Sequence, residues 1–350
     1  MEFIDLKQTA ASIIAWYAQH KRDLPWRKGG DPYRIWISEI MLQQTRIEAV
    51  IPYYERFLKE LPDVAALAEV PDDRLMKLWE GLGYYSRARN LKKAAQIVAG
   101  RYGGVMPGTA RELKTLPGIG DYTAGSIASI AFGEPEPAVD GNVMRVLSRL
   151  SACGRDVMDP KYRKEASQRL KEVYPAGEAA ALLTEGLMEL GERVCLPNGT
   201  PLCGECPAAR LCKAHAEGRE TDYPVRAEKK ARRIENRTVL LLRCGERFAI
   251  RRRPSSGLLA GMWEFPNLEG HLNEDAILAY ADRNGLRPLS VSPAGEAKHI
   301  FSHIEWHMTG SLVECGAASG DFVWVTEKEL AASYSIPAAF KFYKNKLQYL

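Results

Sequence analysis

Between residues 116 and 143 the chain reads Leu-Pro-Gly-Ile-Gly-Asp-Tyr-Thr-Ala-Gly, then an apolar run, then Ala-Val-Asp-Gly-Asn-Val. Gly118 and Gly120 let the backbone approach an external group, and the free N–H groups of a helix beginning near Gly120 are natural ligands for a phosphate oxygen. The same turn would also serve as a plain connection between two helices. Asp140 adds a lone carboxyl group in an otherwise apolar context. A third chemistry sits further on, where Cys195, Cys203, Cys206 and Cys212 are spaced C-x7-C-x2-C-x5-C. Four thiols so close together point to a metal, because intracellular disulfides are disfavoured; spacing alone suits tetrahedral zinc or an iron–sulfur cluster.

These groups must be held by a sizeable fold. The 350 residues have room for two or three domains, and 46% hydrophobic content with a net charge of +4 describes a folded, mildly basic chain that permits a polyanionic partner. No apolar signal core or bilayer-length apolar stretch is visible, and seven cysteines do not make a secreted disulfide framework. A soluble, monomeric protein of the reducing cytoplasm, with no membrane partner, is the expectation.

Apolar residues recur at three- and four-residue intervals over residues 13–17, 35–50 and 91–98, so residues 1–216 read as a helical domain of many short helices. Within it, 109–125 reads as a helix-turn-helix: Thr109 and Glu112 fit a capping box, and Pro117 and Gly118 stop the first helix. Residues 217–234 read as a linker, with Lys229, Lys230, Arg232 and Arg233 in close succession. Residues 235–350 read as an α+β domain. Strands are expected at 238–242 and 248–250 around a turn at Cys244-Gly245-Glu246, then at 299–309 and 322–325, with helices near 275–282 and 338–347.

Leu116-Pro117-Gly118-Ile119-Gly120 followed by Val139-Asp140 resembles the helix-hairpin-helix and Gly/Pro-rich loop with aspartate of the endonuclease III superfamily of DNA glycosylases. Leu24-Pro25-Trp26-Arg27, Ser38-Glu39-Ile40-Met41-Leu42-Gln43-Gln44-Thr45, Gly81-Leu82-Gly83-Tyr84-Tyr85 and Asp140-Gly141-Asn142-Val143 make the chain similar to its adenine-removing, MutY-type branch. The resemblance implies a mainly α helix-hairpin-helix domain with a 4Fe-4S cluster in the loop 195–212. The segment 257–266 resembles the opening of Nudix-type domains, so a Nudix-like α+β domain is implied at the C-terminus. The acidic magnesium-binding helix of Nudix hydrolases is missing over 273–285, which disfavours hydrolysis of nucleotides there.

What the family implies is removal of adenine mispaired with 8-oxoguanine or G in duplex DNA, initiating base excision repair. Breaking an N-glycosidic bond needs a proton for the departing base and negative charge beside a cation-like sugar. By resemblance Glu39 is the general acid. It is expected at the start of a helix whose apolar neighbours would raise its pKa. Asp140 would stay ionised and stabilise the sugar, by charge alone or through a transient covalent bond. Tyr122 stands where strand-cleaving relatives carry a lysine; a phenol forms no Schiff base, which implies a monofunctional glycosylase. Tyr122 would hydrogen-bond near Asp140, and Asn142 would orient the water or the aspartate.

Trp26, Arg27, Leu42 and Glu185 would line the adenine pocket. Gln44, Leu82 and Tyr84 would probe the opposite strand, with Thr45 touching 8-oxoguanine. Gly118 and Gly120 would hold the DNA backbone. Phe301-Ser302-His303 would sense the lesion, Ser302 by a hydrogen bond to the altered base edge. Cys195, Cys203, Cys206 and Cys212 would ligate the cluster, although the first gap is one residue longer than the family's usual six. Cys153, Cys244 and Cys315 are expected to be ordinary buried thiols. An endonuclease III-like pyrimidine enzyme, a non-catalytic DNA-binding module and a Nudix hydrolase are the alternatives; Tyr122, the pair Glu39 and Asp140, and the missing acidic helix argue against each in turn.

Overall fold

The computed structural model describes residues 5–227 and 231–350. Lys229 and Lys230 of the expected linker lie outside the described residues. The chain divides into two compact units, Met1–Val70 with Arg89–Glu228, and Pro71–Ala88 with Lys229–Leu350. One change of unit falls inside the expected linker. The segment Pro71–Ala88, expected in the helical domain, instead joins the C-terminal unit. Its Asp73 accepts hydrogen bonds from the Trp263 indole (3.2 Å) and Arg252 (3.3 Å), and Glu80 accepts them from Lys344 Nζ (2.7 Å) and the Ile336 N–H (3.2 Å).

The helices run α1 (Leu6–His20), α2 (Pro32–Leu42), α3 (Ile47–Glu60), α4 (Val64–Glu69), α5 (Asp72–Leu78), α6 (Ser86–Tyr102), α7 (Ala110–Leu113), α8 (Asp121–Phe132), α9 (Gly141–Ser151), α10 (Pro160–Lys171), α11 (Glu178–Arg193) and α12 (Lys213–Ala216). Local chemistry sets their ends. Asp31 caps α2 through the Tyr33 N–H (2.8 Å) with Pro32 in its first turn, so the helix starts early and Glu39 sits near its C-terminal end rather than at its start. The expected single helical stretch over 35–50 is broken at residues 43–46, where Gln44 takes φ +60°.

Thr109 caps α7 through the Glu112 N–H, but the Glu112 carboxylate returns to the Thr109 hydroxyl rather than to its backbone, so the box is half formed. Gly118 takes φ +81°, and a Cβ there would meet Asn90 at 2.7 Å; Gly120 is the N-cap of α8 and a Cβ there would meet only open space. Glycine is thus demanded at 118 by internal packing, and the approachable face is at 120. A core of apolar residues from α1, α9, α10 and α11, including Ile13, Val143, Leu147, Leu183 and Leu187, holds these elements together.

Among the described residues, the second unit is built on a seven-stranded sheet: β1 (Arg233–Cys244), β2 (Arg247–Arg252), β3 (Trp263–Glu264), β4 (Asn267–Glu269), β5 (Pro288–Ile300), β6 (Ile304–Cys315) and β7 (Val323–Thr326). The order is β3-β2-β1-β6-β5, with β4 on β1 and β7 on β2. β1 and β6 are parallel, from Arg233 opposite Ile304 to Arg243 opposite Glu314. α13 (Glu274–Arg283), α14 (Glu327–Ser333) and α15 (Lys341–Lys346) complete the unit, and apolar clusters around Trp306 and around Val313 form its cores. The expected strand over 299–309 is two strands: β5 ends at Ile300, β6 starts at Ile304, and the Phe301 N–H closes the turn on the Ile304 carbonyl (2.8 Å). Phe301-Ser302-His303 is therefore the tip of a hairpin. Of the three cysteines outside the cluster, Cys315 is buried while Cys153 and Cys244 are only half-buried. Among the described residues, no helix is long and apolar enough to cross a membrane.

Gly125 of α8 faces the chain leading to Asp140, and a Cβ there would lie 2.4 Å from the Pro137 carbonyl oxygen and 3.3 Å from the Ala138 nitrogen. Backbone cannot yield as a flexible side chain can. Gly125→Ala is expected to destabilise the chain by about 2 kcal/mol, read as a lower urea midpoint at unchanged slope; an unaltered midpoint would show that this approach is looser than described.

Candidate active site and cysteine pocket

A cavity of about 150 Å³ opens within the first unit, lined among others by Trp26, Glu39, Tyr122, Asp140, Asn142 and Glu185. Arg27, Leu42 and Thr45 line it as well, so Thr45, expected beside the opposite base, shares the pocket of the two acids. The helices deliver these side chains separately: α2 brings Glu39, α8 Tyr122, α9 Asn142 and α11 Glu185.

The two acids live in different surroundings. Glu39 is 5% exposed, and its Oε2 has no hydrogen-bond partner among the described residues. Burial pushes its pKa up to about 7, with the neighbouring Tyr122 and Ser126 hydroxyls drawing it down and the charges of Asp140 and Glu185 adding to the rise. Asp140 is both pocket wall and N-cap of α9. Its Oδ1 accepts the Val143 N–H (2.7 Å) and its Oδ2 the Asn142 amide (3.0 Å). Burial raises its pKa too, but these donors and Arg145 oppose the rise by favouring the charged form.

Tyr122 is half-buried, and its phenol is held neutral chiefly by desolvation and by the nearby carboxyl groups. Its hydroxyl approaches the Met188 sulfur at 3.9 Å. Trp26 packs edge-on against Tyr54, and Arg27 stacks over Tyr17 while its guanidinium faces Glu185 (3.5 Å) and Glu189 (2.9 Å). The Tyr17 hydroxyl donates to Glu185 (3.0 Å).

Two residues of this network escaped the sequence reading. Glu189 is fully buried and accepts from Arg22 and Arg27; burial alone would raise its pKa, but the two guanidinium groups outweigh it and the net shift is downward. The spacing of Glu185 and Glu189, four apart on one helix face, was the available signal. Arg145 donates to Asn142 Oδ1 (3.0 Å), the Gly191 carbonyl (2.6 Å) and the Cys195 carbonyl (2.9 Å), tying the Asp140 side of the pocket to the cysteine loop. An arginine among the apolar residues of α9 was its sequence trace.

All four clustered cysteines line one small pocket with Val146, Leu150, Leu190 and Val194. Arg149 donates to Cys195 Sγ (3.2 Å) and to the Leu196 carbonyl (2.8 Å), which fixes the start of the longer first gap. The Cys212 thiol reaches the Arg149 carbonyl at 3.4 Å, and Glu220 stands beside Cys203 (3.6 Å) while bonded to His215. Burial pushes Cys203 up to about 11 and Cys206 up to about 12, so as free thiols they hold their protons. Four soft donors converging on an apolar-walled space fit a metal–sulfur centre, which would draw out the thiolates.

In the second unit the Gly81–Tyr85 motif forms a tight turn with positive φ at Gly81 (105°), Gly83 (70°) and Tyr84 (47°). The turn sends Tyr84 outward, half exposed, and its hydroxyl meets Ser302 Oγ at 3.3 Å. Leu82, expected to probe the opposite strand, is buried by the same turn, its N–H bonded to the Trp79 carbonyl. Phe301 packs edge-on against Trp306 (4.9 Å) and His299 (4.6 Å), shaping the hairpin tip, and His303 is exposed.

Residues 37–176 match the model of the HhH-GPD superfamily of base excision DNA repair proteins, and residues 238–345 that of the NUDIX domain. The adenine DNA glycosylase of Homo sapiens is 33% identical over 98% of this chain and 76% of its own length. That of Rattus norvegicus is 35% identical over 87% and 70%, and one from Buchnera aphidicola 32% over 84% and 82%. Among solved structures, a thermostable thymine-DNA glycosylase is 28% identical with a TM-score of 0.54, covering 60% of this chain and 97% of its own. A trapped endonuclease III–DNA covalent intermediate is 25% identical with a TM-score of 0.51, covering 60% and 95%.

The buried acid makes stability depend on pH. Below the unfolded-state pKa of 4.5 Glu39 is protonated in both states and adds no pH dependence; above it the unfolded chain releases the proton that the folded one keeps to about pH 7. Stability therefore falls across that window, by up to about 3 kcal/mol. Glu39→Gln should remove this slope and leave the variant more stable than the parent at pH 8, as read by urea unfolding from pH 4 to 8. A variant less stable at pH 8 would show that the carboxyl is not desolvated.

Proposed function

The chain belongs to the adenine DNA glycosylase family and removes adenine in base excision repair, and from that premise we propose that the Glu39–Asp140 pocket receives an adenine flipped out of duplex DNA and hydrolyses its N-glycosidic bond. The mispair served is adenine opposite 8-oxoguanine, or opposite G, so that excision prevents G:C to T:A mutation. The observation that carries this reading is the contrast between two carboxyl groups in one cavity: one buried with an oxygen that no donor meets, the other with both oxygens hydrogen-bonded.

A base must leave the stack before such groups can reach it, and a cavity of this volume is on the scale of one aromatic ring system. Glu39, kept protonated near neutral pH, gives its proton to adenine N7 and turns the base into a neutral leaving group. Asp140 faces the sugar with its charge preserved by the Val143 N–H and Asn142, and offsets the positive charge that develops there. Trp26 and Leu42 wall the base, while Arg27, held by Glu185 and Glu189, offers a fixed donor edge. Tyr122 supplies no amine, so the chain hydrolyses without strand cleavage.

Gly120 and the first turn of α8 would grip a phosphate of the double-stranded DNA, with Gly118 shaping the turn. Tyr84, Ser302, Gln44 and the Phe301–His303 tip would read the base opposite; the approach of Tyr84 to Ser302 supports a single reading surface made from both motifs. Cys195, Cys203, Cys206 and Cys212 would hold a 4Fe-4S cluster. When bound it supplies a rigid template for the DNA-contacting loop and takes no part in the hydrolysis. The protein would act as a monomer in the cytoplasm.

Base release from duplexes carrying A opposite 8-oxoguanine, A opposite G, and thymine glycol tests the assignment. Adenine release with the first preferred is expected, without strand scission, and Glu39→Gln and Asp140→Asn should each lose about 100-fold or more in single-turnover rate. The parent rate should fall as pH rises through about 7, where Glu39 loses its proton. A preference for thymine glycol, or both variants cleaving at the parental rate, would sink the reading. Separately, purified protein should be yellow-brown with iron and sulfide in equal amounts, and Cys206→Ser should lose the colour; colourless protein containing zinc would reject the cluster.

A further inference from the structure

The Gly81–Tyr84 turn is tethered to the second unit at points far from its tip. Upstream, Asp73 is held by Trp263 and Arg252. Immediately before the turn, Glu80 accepts Lys344 Nζ from α15 at 2.7 Å, Lys77 Nζ at 2.7 Å and the Ile336 N–H at 3.2 Å, while Lys77 also reaches the Tyr334 carbonyl. Both side chains of the Glu80–Lys344 pair are about a quarter exposed or less, and the two lysines hold the Glu80 carboxyl below its ordinary pKa against the opposing effect of burial. Downstream, the Arg87 guanidinium lies over the rings of Trp79 (5.4 Å) and Tyr84 (5.6 Å) and donates to the Leu82 and Gly83 carbonyls, so the turn is clamped from within.

That clamp fixes the turn's shape, and Glu80 fixes its place on the sheet unit. Tyr84 needs both. A non-glycine residue at φ 47° is strained by about 1 kcal/mol or more and keeps that conformation only where its surroundings over-determine it. Its hydroxyl, moreover, is within reach of Ser302, 218 residues away in sequence, only while both segments are held to the same body.

We propose that the Glu80–Lys344 ion pair is a positioning lock for discrimination of the base opposite the excised adenine: it seats the Gly81–Tyr84 turn so that Tyr84 and Ser302 present one surface. The proposal rests on the reading that this surface senses 8-oxoguanine. Glu80 and Lys344 touch neither the base nor the reacting atoms. They act on the preference between two duplexes and leave the chemistry of the adenine pocket alone.

The experiment compares single-turnover excision by the full chain on duplexes with A opposite 8-oxoguanine and A opposite G. The parent, Lys344→Met, Lys344→Arg, Glu80→Gln and the Glu80→Gln/Lys344→Met double variant are measured together, each with its thermal unfolding. Lys344→Met and Glu80→Gln are each expected to lower the ratio of the two rates by about 3- to 5-fold, with the saturated rate on A opposite G unchanged. Lys344→Arg should restore most of the ratio, and the double variant should lose little more than either single one. A general loss of stability would slow both substrates alike and leave the ratio in place. A parent that prefers 8-oxoguanine while the ratio is unmoved in both single variants would overturn the lock and spare the reading beneath it. Losses that add in the double variant would overturn the pairing, and a parent without preference would overturn the reading itself.

Discussion

One carboxyl group buried with an oxygen that no donor meets sets the terms for the first unit. Glu39 Oε2 is buried with no donor among the described residues, in a cavity where burial raises the pKa of Glu39, Asp140 and Glu185 alike. Glu39 stays neutral by keeping its proton, whereas a neighbour that ionises in the same dry space must be paired, because an unpaired buried charge would cost several kcal/mol. The structure meets this demand group by group. Glu189 has Arg22 and Arg27, Glu185 has the Tyr17 hydroxyl and faces Arg27, and Asp140 has a backbone N–H and an amide. The pocket is thus a set of hydrogen-bonded acids around one whose Oε2 no donor meets among the described residues.

The same economy explains why Asp140 is where it is. As N-cap it satisfies an orphan N–H of α9 and lies at the positive end of that helix, which favours its ionised form without a full positive charge beside it. Arg145 is kept one step back: it holds Asn142, and Asn142 holds Asp140. Its other bonds end on the carbonyls of Gly191 and Cys195, so the orientation of the aspartate and the start of the cysteine loop share one side chain. Whatever fixes that loop therefore also stiffens the acid.

Much of this was legible in the chain. The turn at 117–120, the helix after Gly120, the α+β character of the last third, and the acids and cysteines all announce themselves by residue type and spacing. The places where the reading slipped share a cause: they depend on what lies across space. Residues 35–50 carry a continuous helical period, yet Asp31 and Pro32 start α2 early and Gln44 breaks it, which moved Glu39 to the helix end. Residues 299–309 alternate like one strand, but the hairpin tip interrupts them, and nothing local in Phe-Ser-His demands a turn. Glu189 and Arg145 look like surface charges until the helices that bury them are in place.

Pro71–Ala88 shows why sequence order misleads about division of labour. It lies in the middle of a helical run and has no composition break, so nothing in its own residues marks it as belonging elsewhere. Its allegiance is decided by a few polar contacts, Asp73 with Trp263 and Glu80 with Lys344, which no periodicity encodes. The consequence is that Tyr84 and Ser302, remote in the chain, belong to one body, while Glu39 and Asp140 belong to the other. The two pairs of residues then rest on separate packing, so a substitution around Tyr84 and Ser302 leaves the proton on Glu39 undisturbed.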